Sequence, residues 1–332
     1  MALTVPAVPI FHKNTKISSI MKHLKSSVMF MAAAAITLAS CSDSDELETQ
    51  AEGGRVLTVT AECPQINSDT RTGIVVGDVD PATGNAEVKP IWKAGDKLII
   101  AGENISLTAS ESLKADAEKA SFLFTQLRPD FSQGRDFCFT NYEHINAGYD
   151  DNGWYMNFTA TMPMIVEPNQ ISMNDIIVSE MVNPDVVDMN KPLELKFKRL
   201  SSLVRINFID ATENKMYEGG SIYRVTIDGD GAENCLLRDI KYYPSTGEIK
   251  TSPKYNVKVN FRENRLNVGE EGRSLYLACA PNTYKKGTVM KMEIGLSDYF
   301  DYYTKDLVMP ADVELKPGEI TTFNVVLDKV IR

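Results

Sequence analysis

Catalysis by a serine or cysteine nucleophile usually requires a histidine as general base, and this 332-residue chain holds three histidines. Two of them, His12 and His23, precede Cys41 in a segment that the composition predicts to be removed. A serine or cysteine nucleophile would therefore have only His144 as its base. A lone histidine beside a turn is usually a surface residue, and no G-x-S-x-G elbow accompanies it. The sequence thus favours a protein that is not an enzyme.

Metal and redox chemistry are not indicated either. The cysteines after Cys41 stand far apart, without C-x-x-C spacing. Three of the four lie in apolar, strand-like runs, which favours free buried thiols and leaves pairing open in an exported protein. They are Cys63, Cys138, Cys235 and Cys279. The run Asp228–Gly231 lacks the third acidic ligand and the terminal glutamate of a calcium loop, so it is interpreted as a hairpin turn. We expect no metal and no cofactor.

An aromatic run near the C-terminus could contact a ligand. In an extended strand, Tyr299 and Tyr303 lie on one face and Tyr302 on the other. Tyrosine offers a large contact area with a polar tip, so Tyr299 and Tyr303 are candidate contacts for a sugar or a protein. The alternative is ordinary cross-strand packing.

A polar loop from Gln65 to Thr72 offers a processing site. Pro64 ends the strand before it, and proteases cut at loop tips of this kind, which makes Arg71 the candidate. An unprocessed surface arginine is the alternative. Arg55 is a weaker second candidate, because cutting there would leave the first strand in place.

The first 40 residues predict export. Lys22 and Lys25 precede an apolar core at Val28–Ala39, and small residues follow before Cys41. This is the order of a secretory signal peptide, too short to span a bilayer as a mature helix, and Met21 is its better start. The end of the segment resembles the lipobox of bacterial lipoproteins, which implies lipidation of Cys41. A plain signal peptide with a chance cysteine is the alternative.

Residues 41–54 form an acidic tether, and the whole chain has a net charge of −10. An acidic surface disfavours nucleic acid as a partner, because binding it requires clustered Lys and Arg. Acidic residues directly after the lipidated cysteine look like the surface-export signal of some Gram-negative anaerobes. We therefore expect a cell-surface lipoprotein that the outer membrane holds through its lipid anchor.

The mature chain alternates apolar and polar residues between turns, and only Glu111–Lys119 hints at a helix. Turns are predicted at Asp78–Asn85, Asp150–Gly153 and Lys316–Gly318. The pattern predicts an all-β protein of two β-sandwich domains in tandem, 55–198 and 199–332. The predicted strands are Arg55–Cys63, Lys97–Ala101, Ile105–Thr108, Ala120–Gln126, Asp136–Thr140, Trp154–Thr159, Ile176–Ser179, Leu193–Phe197, Leu203–Phe208, Ser221–Ile227, Cys235–Asp239, Tyr255–Phe261, Ser274–Cys279, Val289–Leu296, Tyr299–Met309 and Thr321–Leu327.

Several features in chain order resemble the fimbrillin family, the shaft and tip subunits of type V pili. They are the lipobox, Thr70–Thr72, Trp92 with Gly95-Asp96, the paired runs in Leu193–Ile206, and Leu315–Glu319 with Phe323–Val325. The resemblance implies two transthyretin-like sandwiches and cleavage by an arginine-specific protease after the first strand. It also implies donor-strand exchange, in which another pilin subunit fills the opened groove with its own strand.

The expected function is that of a fimbrial subunit that mediates adhesion to a host or bacterial surface ligand. Only Asp328–Arg332 follow the last predicted strand, about 17 Å when extended, which favours a tip or accessory subunit that accepts a strand but donates none. The alternative function is a non-polymerising, glycan-binding surface lipoprotein that keeps its first strand. A glycoside hydrolase is a more distant alternative, since it would need two carboxylates across a cleft.

Overall fold

The computed structural model describes residues 55–64, 73–80, 85–93, 95–102, 105–111, 118–127, 135–163, 174–214, 217, 220–261, 265–269, 274–296 and 302–328. All of them belong to one compact unit, residues 51–332. The predicted signal peptide and acidic tether lie outside the described residues, as do Cys41, Arg71 and Tyr299.

The described residues form 25 strands, two short 3-10 helices and no α-helix, which confirms the predicted all-β class. No helix in this part of the chain is long and apolar enough to cross a membrane. The strands are β1 Arg55–Glu62, β2 Gly73–Asp80, β3 Asn85–Ile91, β4 Lys97–Gly102, β5 Ile105–Glu111, β6 Lys119–Leu127, β7 Phe137–Thr140, β8 Ile145–Asp150, β9 Gly153–Phe158, β10 Ile177–Ser179, β11 Leu193–Leu195, β12 Phe197–Arg199, β13 Ser202–Asp210, β14 Ser221–Ile222, β15 Arg224–Gly229, β16 Leu237–Tyr243, β17 Glu248–Tyr255, β18 Val257–Asn260, β19 Leu266–Asn267, β20 Leu275–Cys279, β21 Asn282–Tyr284, β22 Val289–Gly295, β23 Tyr302–Val308, β24 Val313–Leu315 and β25 Ile320–Leu327.

Two sheets share the core of the N-terminal half. One has the order β11-β1-β6 and the other β12-β10-β7-β4-β5. Trp92 is 1% exposed and lies edge-on to Phe122 of the first sheet and Phe197 of the second, with ring centroids 5.1 and 6.1 Å away. The indole therefore joins the two sheets at the centre of this core.

Two further sheets share the core of the C-terminal half, with the orders β20-β13-β25 and β18-β15-β22-β23. Strands β13 and β25 run parallel over eight residue pairs, from Leu203 with Ile320 to Asp210 with Leu327. Alternate residues of both strands enter the core, among them Ile206 and Val325. The apolar alternation of the sequence thus becomes one buried face of this sheet.

A fifth large sheet, β17-β16-β9-β8, joins the two halves. In it β9 pairs with β16, so that Met156 lies opposite Tyr242 and Phe158 opposite Ile240. These side chains form a third core with residues from both halves. A continuous sheet therefore crosses the predicted boundary near Lys198, and the division into domains 55–198 and 199–332 stays a prediction.

The turns predicted at Asp150–Gly153 and Lys316–Gly318 agree with the described backbone, whereas Asp228–Gly231 is not a hairpin turn, because β15 pairs with β18 and β22 and not with β16. Gly153 (φ 105°) closes the β8–β9 hairpin, and Gly318 (φ 72°) lies in the turn before β25. Both angles lie in the left-handed region that favours glycine. Of the turn predicted at Asp78–Asn85, 78–80 lie in β2 and Asn85 begins β3, while 81–84 lie outside the described residues. The segment Glu111–Lys119, where the sequence hinted at a helix, is described only at its ends. Glu111 ends β5 and Lys119 begins β6, and 112–117 lie outside the described residues.

Candidate functional site

The first strand, β1, is the central strand of its sheet. It runs parallel to β11, with Val59 opposite Leu193, and antiparallel to β6, with Val59 opposite Phe122. The alternate residues Leu57, Val59 and Ala61 are fully buried in the N-terminal core. A strand that precedes all other described strands is thus enclosed on both edges and on its apolar face.

Removal of β1 would open a long slot in this core. The slot would span eight residues, about 26 Å, along β6, and β11 would border three of them. Full burial of Leu57 and Val59 contributes about 3–6 kcal/mol by transfer energies, a large part of a typical domain stability of about 5–15 kcal/mol. A chain without β1 therefore needs another alternating apolar strand in its place.

The predicted processing loop follows directly after this strand. Glu62, the last residue of β1, forms an ion pair with Lys119 at 3.0 Å, and the Cys63 amide donates to the Glu118 carbonyl at 2.9 Å. The described chain stops at Pro64 and resumes at Gly73. Arg71 lies in the interval, so its cleavage stays a prediction, as does lipidation of Cys41.

The structure corrects one predicted ligand contact, Tyr303 on strand β23. Tyr303 is 2% exposed, packs edge-on to Tyr217 at 6.0 Å, and donates its hydroxyl to Asp328 Oδ1 at 2.6 Å. Its face of the strand packs on the C-terminal core, so Tyr303 is not available to an external ligand. Tyr302, on the opposite face, is 38% exposed.

Tyr302 belongs to a surface group that spans four strands. The register of β18-β15-β22-β23 places Asn260, Arg224, Gly295 and Tyr302 in one row. Arg224 donates from Nε to Asn260 Oδ1 at 3.2 Å and from Nη1 to Tyr302 Oη at 3.0 Å. Tyr223 covers the glycine, since a Cβ on Gly295 would lie 2.6 Å from its ring. We call Tyr223, Arg224, Asn260 and Tyr302 the Arg224 cluster.

A second cluster of charged and aromatic side chains lies on the outer face of β17-β16-β9-β8, but its charged and polar groups bind one another. Lys241 Nζ lies 2.5 Å from Asp150 Oδ2 and 3.7 Å from the centre of the Tyr155 ring. Tyr243 Oη donates to the same carboxylate oxygen at 2.8 Å. The Lys241 ammonium, helped by the Tyr243 hydroxyl, lowers the pKa of Asp150 to about 2. This cluster ties β8 to β16 and is structural.

The candidate general base, His144, lies between β7 and β8 and is exposed. Its ring approaches that of Tyr142 edge-on, with ring centroids 5.9 Å apart. Within the described residues, no group of three or more His, Cys, Asp or Glu could hold a metal ion, and Asp228–Gly231 leads from β15 into a 3-10 helix.

Each of the four described cysteines is buried, and no disulfide joins them in the described residues: Cys63, Cys138, Cys235 and Cys279. Burial raises the pKa of Cys138 and that of Cys279 to about 12. Both thiols therefore stay protonated, and they behave as small apolar core residues.

No family model and no curated protein matches the sequence. Solved structures are similar over most of its length. A "putative cell adhesion protein" from Bacteroides uniformis ATCC 8492 is 12% identical, covers 85% of this chain and 95% of its own, and has a TM-score of 0.45. A fimbrial protein from Bacteroides vulgatus ATCC 8482 is 11% identical, with coverages of 81% and 95% and a TM-score of 0.34. With TM-scores below 0.5, neither likeness bears on the function of this chain.

Proposed function

We propose that this chain is an exported surface lipoprotein that serves as a fimbrial subunit and mediates adhesion. In this proposal Cys41 is lipidated, cleavage at Arg71 frees β1, and a strand from another subunit takes its place. The observation that carries the proposal is the position of β1, central in its sheet and directly before the processing loop.

Two properties of β1 support an exchange rather than a simple loss. Its neighbours β6 and β11 would each expose a row of backbone donors and acceptors, which another strand can pair. Its inward residues Leu57, Val59 and Ala61 are spaced two apart, so the slot accepts any strand with apolar residues at that spacing. The incoming strand restores both the hydrogen bonds and the core.

An exchange assay on the full mature chain tests the proposal. The folded chain is cut with an arginine-specific protease and mixed with a fluorescent peptide of the β1 sequence, Arg55–Cys63. We expect the cut chain to incorporate the peptide and to keep the thermal midpoint of the uncut protein. A peptide with Val59→Asp should not be incorporated, because it would bury an unpaired charge.

The matched control is Arg71→Ala, which leaves every other arginine in place. The treated control should retain β1 covalently and incorporate no peptide. The proposal is wrong if the cut chain takes up no peptide, or if Arg71→Ala takes it up equally well.

The alternative function is a surface glycan-binding lipoprotein that keeps β1 and does not polymerise. The Arg224 cluster favours it, because this cluster exposes an aromatic ring beside a cation on a sheet face. The exchange assay separates the two functions, since a protein that never exchanges β1 incorporates no peptide after cutting.

A further inference from the structure

Arg224 is held in place by uncharged groups. Its Nε and Nη1 donate to neutral oxygens, those of Asn260 and Tyr302. Among the described residues, no carboxylate lies within 4.0 Å of it, whereas Arg199 and Arg238 contact Asp175 and Glu233. On a chain with a net charge of −10, no described carboxylate thus pairs with the positive charge of Arg224.

The two hydrogen bonds leave part of the guanidinium available. Of its five N–H donors, Arg224 uses one on Nε and one on Nη1, so both donors on Nη2 and one on Nη1 have no partner among the described residues. One Nη2 donor lies beside Nη1 and the other beside Nε. Nη2 can therefore donate to a carboxylate oxygen in a charge-assisted hydrogen bond.

Two tyrosine rings flank the cation. The guanidinium carbon lies 5.6 Å from the centre of the Tyr223 ring and 5.9 Å from that of the Tyr302 ring. The two rings are 6.4 Å apart and inclined by 59°. They fix the position of the charge, and Tyr302 offers a ring face and a hydroxyl on the surface.

We propose that the Arg224 cluster binds a sugar residue that carries a carboxylate, a uronic or a sialic acid of a surface glycan. The carboxylate accepts from the remaining donors of Arg224, and the sugar ring packs on Tyr302. This assignment rests on the adhesive role proposed above and names its ligand. A sugar fits better than an acidic peptide because Arg224 lies on the inner strand β15, whereas an extended peptide pairs with a strand edge.

Titration calorimetry on the intact, uncut chain tests this assignment with two acidic probes. Oligogalacturonate is compared with its neutral methyl ester, and sialyllactose is compared with lactose. We expect saturable binding of at least one acidic probe and none of its neutral counterpart. Arg224→Gln should weaken binding by about 10- to 100-fold, since a charge-assisted pair is lost. Tyr302→Ala should weaken it as well, and Tyr302→Phe less.

The matched control is Lys291→Gln, which removes one positive charge from the same sheet face outside the row of Arg224. Its affinity should equal that of the wild type, and circular dichroism should show that every variant is folded. The assignment is overturned if neither acidic probe binds, if Lys291→Gln loses as much affinity as Arg224→Gln, or if a pentaglutamate peptide binds as tightly as the sugars. The uncut chain undergoes no exchange, so this failure is distinguishable from a failure of the strand-exchange proposal.

Discussion

At the scale of single residues, the charged groups that hold this protein together are paired across distant segments. Asp150 and Lys241 are 91 residues apart and connect β8 with β16. Arg199 and Asp175 form a buried, bidentate pair with distances of 2.6 and 3.1 Å. The first pair joins two strands, and the second joins β12 to the segment before β10, so each should affect the stability of the whole molecule.

The Asp150 pair predicts a specific acid dependence. The folded-state pKa of Asp150 is lowered to about 2 from its ordinary value of 3.8, chiefly by Lys241. Its stabilisation is therefore complete above about pH 5 and is lost as the pH falls through 4 towards 2. We expect Asp150→Asn to have a lower thermal midpoint than the wild type at pH 7, and the difference to shrink towards pH 2.

The control is Asp151→Asn, at an exposed residue of the same turn. Thermal midpoints of the three proteins from pH 2 to pH 7 provide the measurement. A difference between Asp150→Asn and the wild type that stays constant over this range would refute the linkage.

The buried pair Arg199–Asp175 predicts non-additive losses. The side chains are 1% and 6% exposed, so Arg199→Met leaves a buried carboxylate without its cation and should cost about 3–5 kcal/mol. Adding Asp175→Asn removes that charge, and the double variant should lose less than the sum of the single variants. Urea denaturation of all four proteins measures the coupling, and strictly additive losses would contradict it.

At the scale of elements, every strand predicted from alternation overlaps an observed strand, but the alternation missed others. Strand β17 carries Ile249 and Tyr255 as its only large apolar residues, with Pro253 between them. It is an edge strand, and proline and lysine are common on such edges, so no apolar run reveals it. Its position becomes evident only once β16 provides the register.

The candidate ligand site is a second feature that alternation in the sequence could not fully predict. Alternation correctly placed Tyr302 and Tyr303 on opposite faces, but it could not show which face meets the core. Arg224 lies 78 residues from Tyr302, and Gly295 separates them in the sheet. Such a site arises from strand order and register, and no local spacing in the sequence indicates it.

The central strand β1 provides the prediction at this scale. Leu57→Ala should destabilise the uncut protein by about 2–5 kcal/mol, because it leaves a cavity at a fully buried position. Thr58→Ala, on the opposite face of the same strand, should cost less than 1 kcal/mol, of the order of other half-buried surface changes. Urea midpoints of both variants test this, and equal losses would show that β1 has no distinct inward face.

At the scale of the whole molecule, the proposed lipidation of Cys41 would determine where the protein is before any assembly. Replacing Cys41 by alanine should give a protein without an acyl chain that leaves the membrane fraction. Metabolic acyl labelling and fractionation measure both effects, with Cys63→Ala as a control that removes a buried cysteine. A Cys41→Ala protein that still carries the label would show that the lipobox interpretation is wrong.

The proposed fimbrial function depends on the loss of β1 when the subunit assembles. The most direct measurement is N-terminal sequencing of assembled, high-molecular-weight material recovered from the cell surface. If Arg71 is the cleavage site, the mature chain begins at Thr72, directly after Arg71, and therefore lacks Arg55–Glu62. An N-terminus mapped anywhere before Arg55 on that material would contradict strand exchange, because β1 would still occupy its own slot.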